Sequence, residues 1–151
     1  MSDLAIVSIY SQLLDAWNSQ DAAGMAALFA EGGAQVGFDG SEAQGPRTIR
    51  EQLAPIFRDH PTKRFVHVVR EVRRLTDDVA MLRAIAGMVP RDSLELDESK
   101  NVIQTLVLRK DGGDWRIVLF QNTPARFDGR PEAVAAMSDE LRAAAQQQLR
   151  R

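Results

Sequence analysis

Neutral hydrogen-bonding side chains, rather than a cluster of charged ones, make up the chemistry this sequence offers. The run Trp115-Arg116-Ile117-Val118-Leu119-Phe120-Gln121-Asn122-Thr123-Pro124 opens as a β-prone apolar stretch. It then turns to two carboxamides and a hydroxyl before Pro124 ends the strand. An apolar strand that ends in an amide can form a cavity wall with an orienting hydrogen-bond group; the same amides also suit the wet edge of a sheet. Strict alternation puts Trp115, Ile117, Leu119, Gln121 and Thr123 on one face, and Arg116, Val118, Phe120 and Asn122 on the other. Gln104, on the preceding strand, stands at a similar distance from the 111–114 turn and can sit beside Gln121 or Asn122. Carboxamides orient a carbonyl or hydroxyl ligand without transferring protons. Candidates for proton transfer are few. His67 is the one histidine inside an apolar run, flanked by Phe65, Val66, Val68 and Val69. Such surroundings disfavour the imidazolium and leave a neutral base near pH 7. Glu71 would lie roughly 13 Å along the extended chain, too far to orient it, so Asp39 or Tyr10 would have to do so from elsewhere in the fold. His67 or Asp39 is therefore the general base if the chain is an enzyme. A half-buried histidine on a dimer face, satisfied by a neighbour or water, accounts for the same pattern.

Composition narrows the classes. The chain has 151 residues, 44% hydrophobic and 26% charged, which fits one domain with a sizeable core. A net charge of −2 gives no basic field to attract nucleic acid or anionic lipid. There is no cysteine, and His60 and His67 are the only histidines, so thiolate and multi-histidine metal sites are not expected. No glycine loop has phosphate-binding spacing. The sequence thus predicts no metal, no nucleotide cofactor, no nucleic acid and no membrane. Met1-Ser2-Asp3 lacks a basic leader segment and no run is long enough to span a bilayer, so a cytoplasmic location is expected.

The elements that must position these residues read as follows. Ile6, Ile9, Tyr10, Leu13, Leu14 and Trp17 recur at helical spacing and predict a helix over 3–19. Tyr10 and Trp17 stack along one face, either as core aromatics or with their polar tips in a cavity. Asp21 caps a helix over 22–30 that Gly32-Gly33 ends, and a strand follows over 34–39. A polar loop, 40–45, leads to a helix over 47–58 in which Pro55 predicts a kink. Strands are predicted over 64–75, 79–89, 101–110 and 115–123, with 90–100 as a loop. The mixed pattern of 64–75 implies a bend or bulge and leaves its inner face open. Ala80, Leu82, Ala84 and Ala86 give 79–89 a small-residue face that leaves room for a ligand on a concave side. Residues 131–150 read as a polar helix with Val134, Met137, Leu141 and Leu149 to bury, docked on a partner or partly frayed. The fold class is α+β, helices on one face of a curved antiparallel sheet, with a single domain over 1–130 and a helical extension over 131–151. Strand 101–110 is apolar on both faces, which predicts a homodimer through the sheet.

This order of elements, with Trp115 through Thr123 in the last strand, resembles the nuclear-transport-factor-2-like (SnoaL-like) superfamily, and within it most nearly the SgcJ/EcaC family. The resemblance rests on Ala16-Trp17-Asn18 with Asp21, Leu28-Phe29-Ala30, Gly45-Pro46 with Ile49, Val79-Ala80, Gln104-Thr105-Leu106-Val107 and the final strand. It spans about residues 4–124. It implies a cone-shaped, cystatin-like half-barrel, a pocket between sheet and helices, and a homodimer. It does not imply one reaction, since relatives include ketosteroid isomerases, cyclases, dehydratases and binding domains. Acid–base relatives place a carboxylate near the end of the first strand; here Phe38, not Asp39, falls there, so the isomerase pattern is not matched. Three functions are compatible. One is a small-molecule-binding domain, a biosynthetic accessory protein of the SgcJ/EcaC type, with an apolar ligand held by Tyr10, Trp17, Phe38, His67, Gln104 and Gln121 or Asn122. The second is an isomerase, cyclase or dehydratase acting on a polyketide- or steroid-like substrate through His67 or Asp39. The third is an assembly module using its dimer surface and C-terminal helix.

Overall fold

The computed structural model describes residues 3–150. The chain runs α1 (Asp3–Asn18), α2 (Ala22–Ala26), β1 (Phe29–Val36), β2 (Glu42–Gln44), α3 (Pro46–Asp59), β3 (Arg64–Thr76), β4 (Val79–Val89), β5 (Asp97–Asp111), β6 (Asp114–Pro124) and α4 (Pro131–Gln148). The strands form one curved, unclosed sheet in the order β2-β1-β6-β5-β4-β3. Neighbours are antiparallel except β1 and β6, which run parallel. This is the expected α+β class.

The main core lies between the inner face of the sheet and the first three helices. Ile6, Tyr10, Leu13 and Leu14 of α1 and Ile49, Leu53 and Phe57 of α3 pack with Ala80, Leu82, Ala84 and Ala86 of β4, Leu106 and Leu108 of β5, and Ile117 and Phe120 of β6. The small β4 face is therefore matched by large side chains from the helices. A second core lies on the outer face, where Met137, Leu141, Ala144 and Ala145 of α4 cover Val66, Ile85 and Val89. The C-terminal helix is docked on its own sheet, with alanines as the packing surface that hydropathy alone does not flag. Gly87 permits this approach: a Cβ there would stand 2.7 Å from Leu96 and 3.0 Å from Leu141. A buried Asn101-to-Ser138 hydrogen bond of 3.0 Å and ion pairs Arg70–Glu140 and Arg142–Glu98 fix the helix further. Part of the apolar outer face that motivated a dimer is thus covered within the chain, while Met81, Val107 and Leu119 remain half-buried beside it.

Several elements depart from the sequence reading. Helix α2 ends at Ala26, and Phe29 and Ala30 already belong to β1. Gly32-Gly33 does not end a helix but forms an irregularity inside that strand, where pairing jumps from Phe29↔Ile117 to Ala34↔Leu119. Gly32 takes φ +77°, and a Cβ on Gly33 would meet the Ile117 carbonyl oxygen at 2.5 Å. Helix α3 continues through Pro55 to Asp59. Strands also occupy 42–44 and 97–100, within the stretches read as loops. In β3 the register slips between Val69 and Glu71, so Arg70 bulges and Phe65, His67, Val69 and Val72 serve the inner face. The largest correction is in β6. Leu119 pairs with Val107 but Ile117 with Leu108, leaving Val118 as an extra residue. The bulge inverts the alternation beyond it: Trp115, Ile117, Phe120 and Asn122 share the inner side, while Leu119 and Gln121 point outward.

Candidate functional site

A line of neutral hydrogen bonds crosses the core from α1 to β1. The Tyr10 hydroxyl donates to Gln104 Oε1 at 2.6 Å, Gln104 Nε2 to Asn122 Oδ1 at 2.9 Å, and Asn122 Nδ2 to the Val36 carbonyl at 2.9 Å. Gln104 and Asn122 stand directly opposite each other in the β5–β6 ladder, whereas Gln121 faces Thr105 on the outer side and is exposed. Tyr10 and Gln104 are 0% exposed and Asn122 is half-buried, so Asn122 is the member nearest solvent. Burial pushes the Tyr10 hydroxyl far above its ordinary pKa, which keeps it a neutral donor. Each link satisfies a group whose burial alone would be costly.

His67 packs edge-on against Tyr10, ring centroids 5.1 Å apart. Burial lowers its pKa, and the Asp15 carboxylate opposes the shift in part. Its backbone is tied as well. Gln148 at the end of α4 accepts from His67 N at 3.1 Å and donates to its carbonyl at 2.8 Å. Asn18 does the same for Phe65, at 2.7 and 3.0 Å. Strand β3 lies at the sheet edge, and these two carboxamides stand where a neighbouring strand's peptide groups would.

The remaining residues singled out by sequence take other places. The Trp17 indole donates to the Lys63 carbonyl at 2.8 Å, and its ring lies against Phe57 and Phe65. Phe38 is 37% exposed under the Lys100 ammonium, 5.0 Å from its ring centroid. Asp39 is exposed in the β1–β2 turn, where the Ser41 N–H donates to it and lowers its pKa, making it a weaker base. The structure thus brings Tyr10, Gln104, Asn122 and His67 together and leaves Trp17, Gln121 and Asp39 on other duties. Sequence reasoning passed over Gln35. It is 7% exposed, beside Phe120 and opposite Ala43, and its Oε1 is buried without a hydrogen-bond partner. Its signal was an amide in a strand paired to the Gln121-Asn122 end of β6. Among the described residues no carboxylate is fully buried, and no group of three or more His, Cys, Asp or Glu side chains is placed to hold a metal ion.

The model of the SnoaL-like domain matches residues 6–122, from the first turns of α1 to the amide end of β6. The chain belongs to the SnoaL-like domain family. Solved structures agree in fold. A cystatin-like domain of unknown function from Nostoc punctiforme is 25% identical, with a TM-score of 0.78 over 97% of this chain and 91% of that one. A nuclear-transport-factor-2-like protein of unknown function from Shewanella oneidensis is 18% identical, with a TM-score of 0.63 over 82% and 99%. A ketosteroid isomerase-like protein from Erwinia carotovora atroseptica is 18% identical, with a TM-score of 0.63 over 80% and 94%. No curated protein matches the chain. Among the described residues of this SnoaL-like domain, no helix is long and apolar enough to cross a membrane.

Proposed function

We propose that this SnoaL-like domain binds a small, largely apolar molecule at the outer end of the carboxamide line and does so without turnover, as a biosynthetic accessory protein of the SgcJ/EcaC type would. The observation that carries this reading is Gln35. A buried carboxamide oxygen without a partner costs free energy that a ligand N–H or O–H would recover. Asn122, half-buried on the adjoining strand, has a second amide N–H to offer an acceptor. The ligand's polar end is therefore a hydroxyl or amide group. The line itself is neutral from Tyr10 to Val36 and suits orientation rather than proton transfer. A homodimer formed on the uncovered part of the outer face, around Met81, Val107 and Leu119, belongs to the same proposal.

The test is calorimetric titration with naphthalen-2-ol and with naphthalene. Naphthalen-2-ol should bind about tenfold more tightly, as a net hydrogen bond of about 1.4 kcal/mol implies. The preference should vanish in Gln35→Leu. Equal affinities in the wild type would reject the site. A second reading, general acid–base catalysis by an isomerase, cyclase or dehydratase, is favoured by one observation: His67 is a half-buried imidazole held toward its neutral form beside Tyr10. Isomerisation of a β,γ-unsaturated ketosteroid above the buffer rate, lost in His67→Asn, would establish it in place of the first.

A further inference from the structure

A cleft of about 360 Å³ lies on the side of the sheet away from the cone, between the outer face and α4. Its apolar lining comes from Ile85 and Ile103 of the sheet, Phe127 of the connection to α4, and Ala133, Ala136 and Met137 of the helix. The volume is near the lower end of the roughly 300–1,000 Å³ of small-molecule sites. Two alanines account for the space, since larger side chains at 133 and 136 would fill it. Phe127 holds a left-handed backbone conformation, φ +46°, with the Arg130 guanidinium 5.3 Å from its ring centroid. A non-glycine residue rarely adopts that conformation unless its surroundings fix it.

The charged part of the lining is biased. Arg70 and Arg83 enter it with Glu140 as the single carboxylate. Arg70 uses Nη1 and Nη2 on Glu140, at 2.7 and 2.6 Å. Arg83 uses Nε and Nη2 on Glu71, at 2.9 and 2.8 Å, and Glu71 is shared with Arg73. Arg83 Nη1 therefore has no protein partner among these contacts. Three guanidinium groups face two carboxylates, so the group keeps an excess of one positive charge.

We propose that this cleft binds an anionic amphiphile, a medium-chain or aryl carboxylate, with its apolar part between Ile85, Ile103 and the alanine face of α4 and its carboxylate on Arg83. The site is separate from the carboxamide line and stands or falls independently of it. Nearly all of its helix-side lining lies beyond residue 122, where the family match ends.

The experiment is a methyl and side-chain NMR titration of the full chain with octanoate and, in parallel, octan-1-ol. Octanoate is expected to produce saturable shifts at the methyls of Ile85, Ile103, Ala133, Ala136 and Met137, and none at the Gln104 or Asn122 amides. Octan-1-ol should bind about tenfold more weakly, since it forfeits one charge-assisted hydrogen bond. Arg83→Gln should remove that preference while preserving the spectrum, because the Arg83 side chain is half exposed and Glu71 keeps its bond to Arg73. Ala133→Leu should abolish binding with the fold intact. Shifts confined to the cone, equal affinity for acid and alcohol, or undiminished binding in a folded Ala133→Leu protein would each overturn the proposal. So would a protein mass that doubles while the cleft methyls ignore octanoate, since the cleft would then be an interface between copies.

Discussion

Removing the hydroxyl that starts the carboxamide line should cost more than its own hydrogen bond. Tyr10→Phe keeps the ring, its contact with His67 and the packing of α1, and deletes only the donor to Gln104. Gln104 is 0% exposed, so its Oε1 would be left in the core without water. A stranded buried acceptor costs about 1–3 kcal/mol; taking 2 kcal/mol, Tm should fall by about 4–8 °C for a domain of this size. Gln104→Leu should cost a similar amount, because it strands the buried Tyr10 hydroxyl and takes the Asn122 donor away. The two together replace the pair by apolar groups, so the double variant should be more stable than the sum of the singles by about 1–2 kcal/mol. Urea unfolding of the wild type and the three variants at one pH measures this coupling. Additivity within about 0.5 kcal/mol would refute the reasoning, since it would mean the hydroxyl and the amide do not depend on each other.

Other expectations follow from single contacts. Gly33→Ala should lower stability by about 1–3 kcal/mol, because its Cβ would press on the Ile117 carbonyl oxygen of the neighbouring strand, and thermal unfolding reads it. Leu141→Ala should cost about 2–5 kcal/mol in urea unfolding, since Leu141 is 0% exposed where α4 meets the sheet; a helix that was merely an appendage would show almost no change. His67 has a folded-state pKa below its unfolded value of about 6.5, so the unfolded chain takes the proton more readily between the two values. Its contribution to stability is complete above that pH and declines as pH falls through 6.5 toward the lowered value. His67→Gln should flatten this limb of a stability-against-pH profile.

The fold was largely legible because helical and strand periods were long and well marked. Tyr10, Trp17 and the long hairpins all lie in the elements that spacing predicts. What sequence concealed was mostly a matter of one residue. In Ile117-Val118-Leu119-Phe120 every position is apolar, so an inserted residue leaves no trace in the pattern, yet the Val118 bulge decides that Asn122 and not Gln121 joins Gln104. Gly32-Gly33 carries the composition of a helix terminator, but Phe29 and Ala30 before it pack as strand residues. Ala144 and Ala145 of α4 look neutral on a hydropathy scale and are buried against the sheet because small side chains let a helix approach it. Tyr10 and Trp17 have the right types and share a helix face, but only three-dimensional placement gives one a glutamine and the other a backbone carbonyl. Gln35 signals itself in sequence only as an amide in the strand that pairs with the amide end of β6; its interest lies in a missing partner.

Binding at the carboxamide line is read most directly from the side-chain amide resonances of Gln35, Gln104 and Asn122 in ¹⁵N-labelled protein as naphthalen-2-ol is added. Saturable shifts are expected at Gln35 and Asn122, with smaller ones passed along to Gln104 and no conversion of the probe. Unchanged Gln35 and Asn122 amides at a concentration where calorimetry shows the probe bound would contradict it.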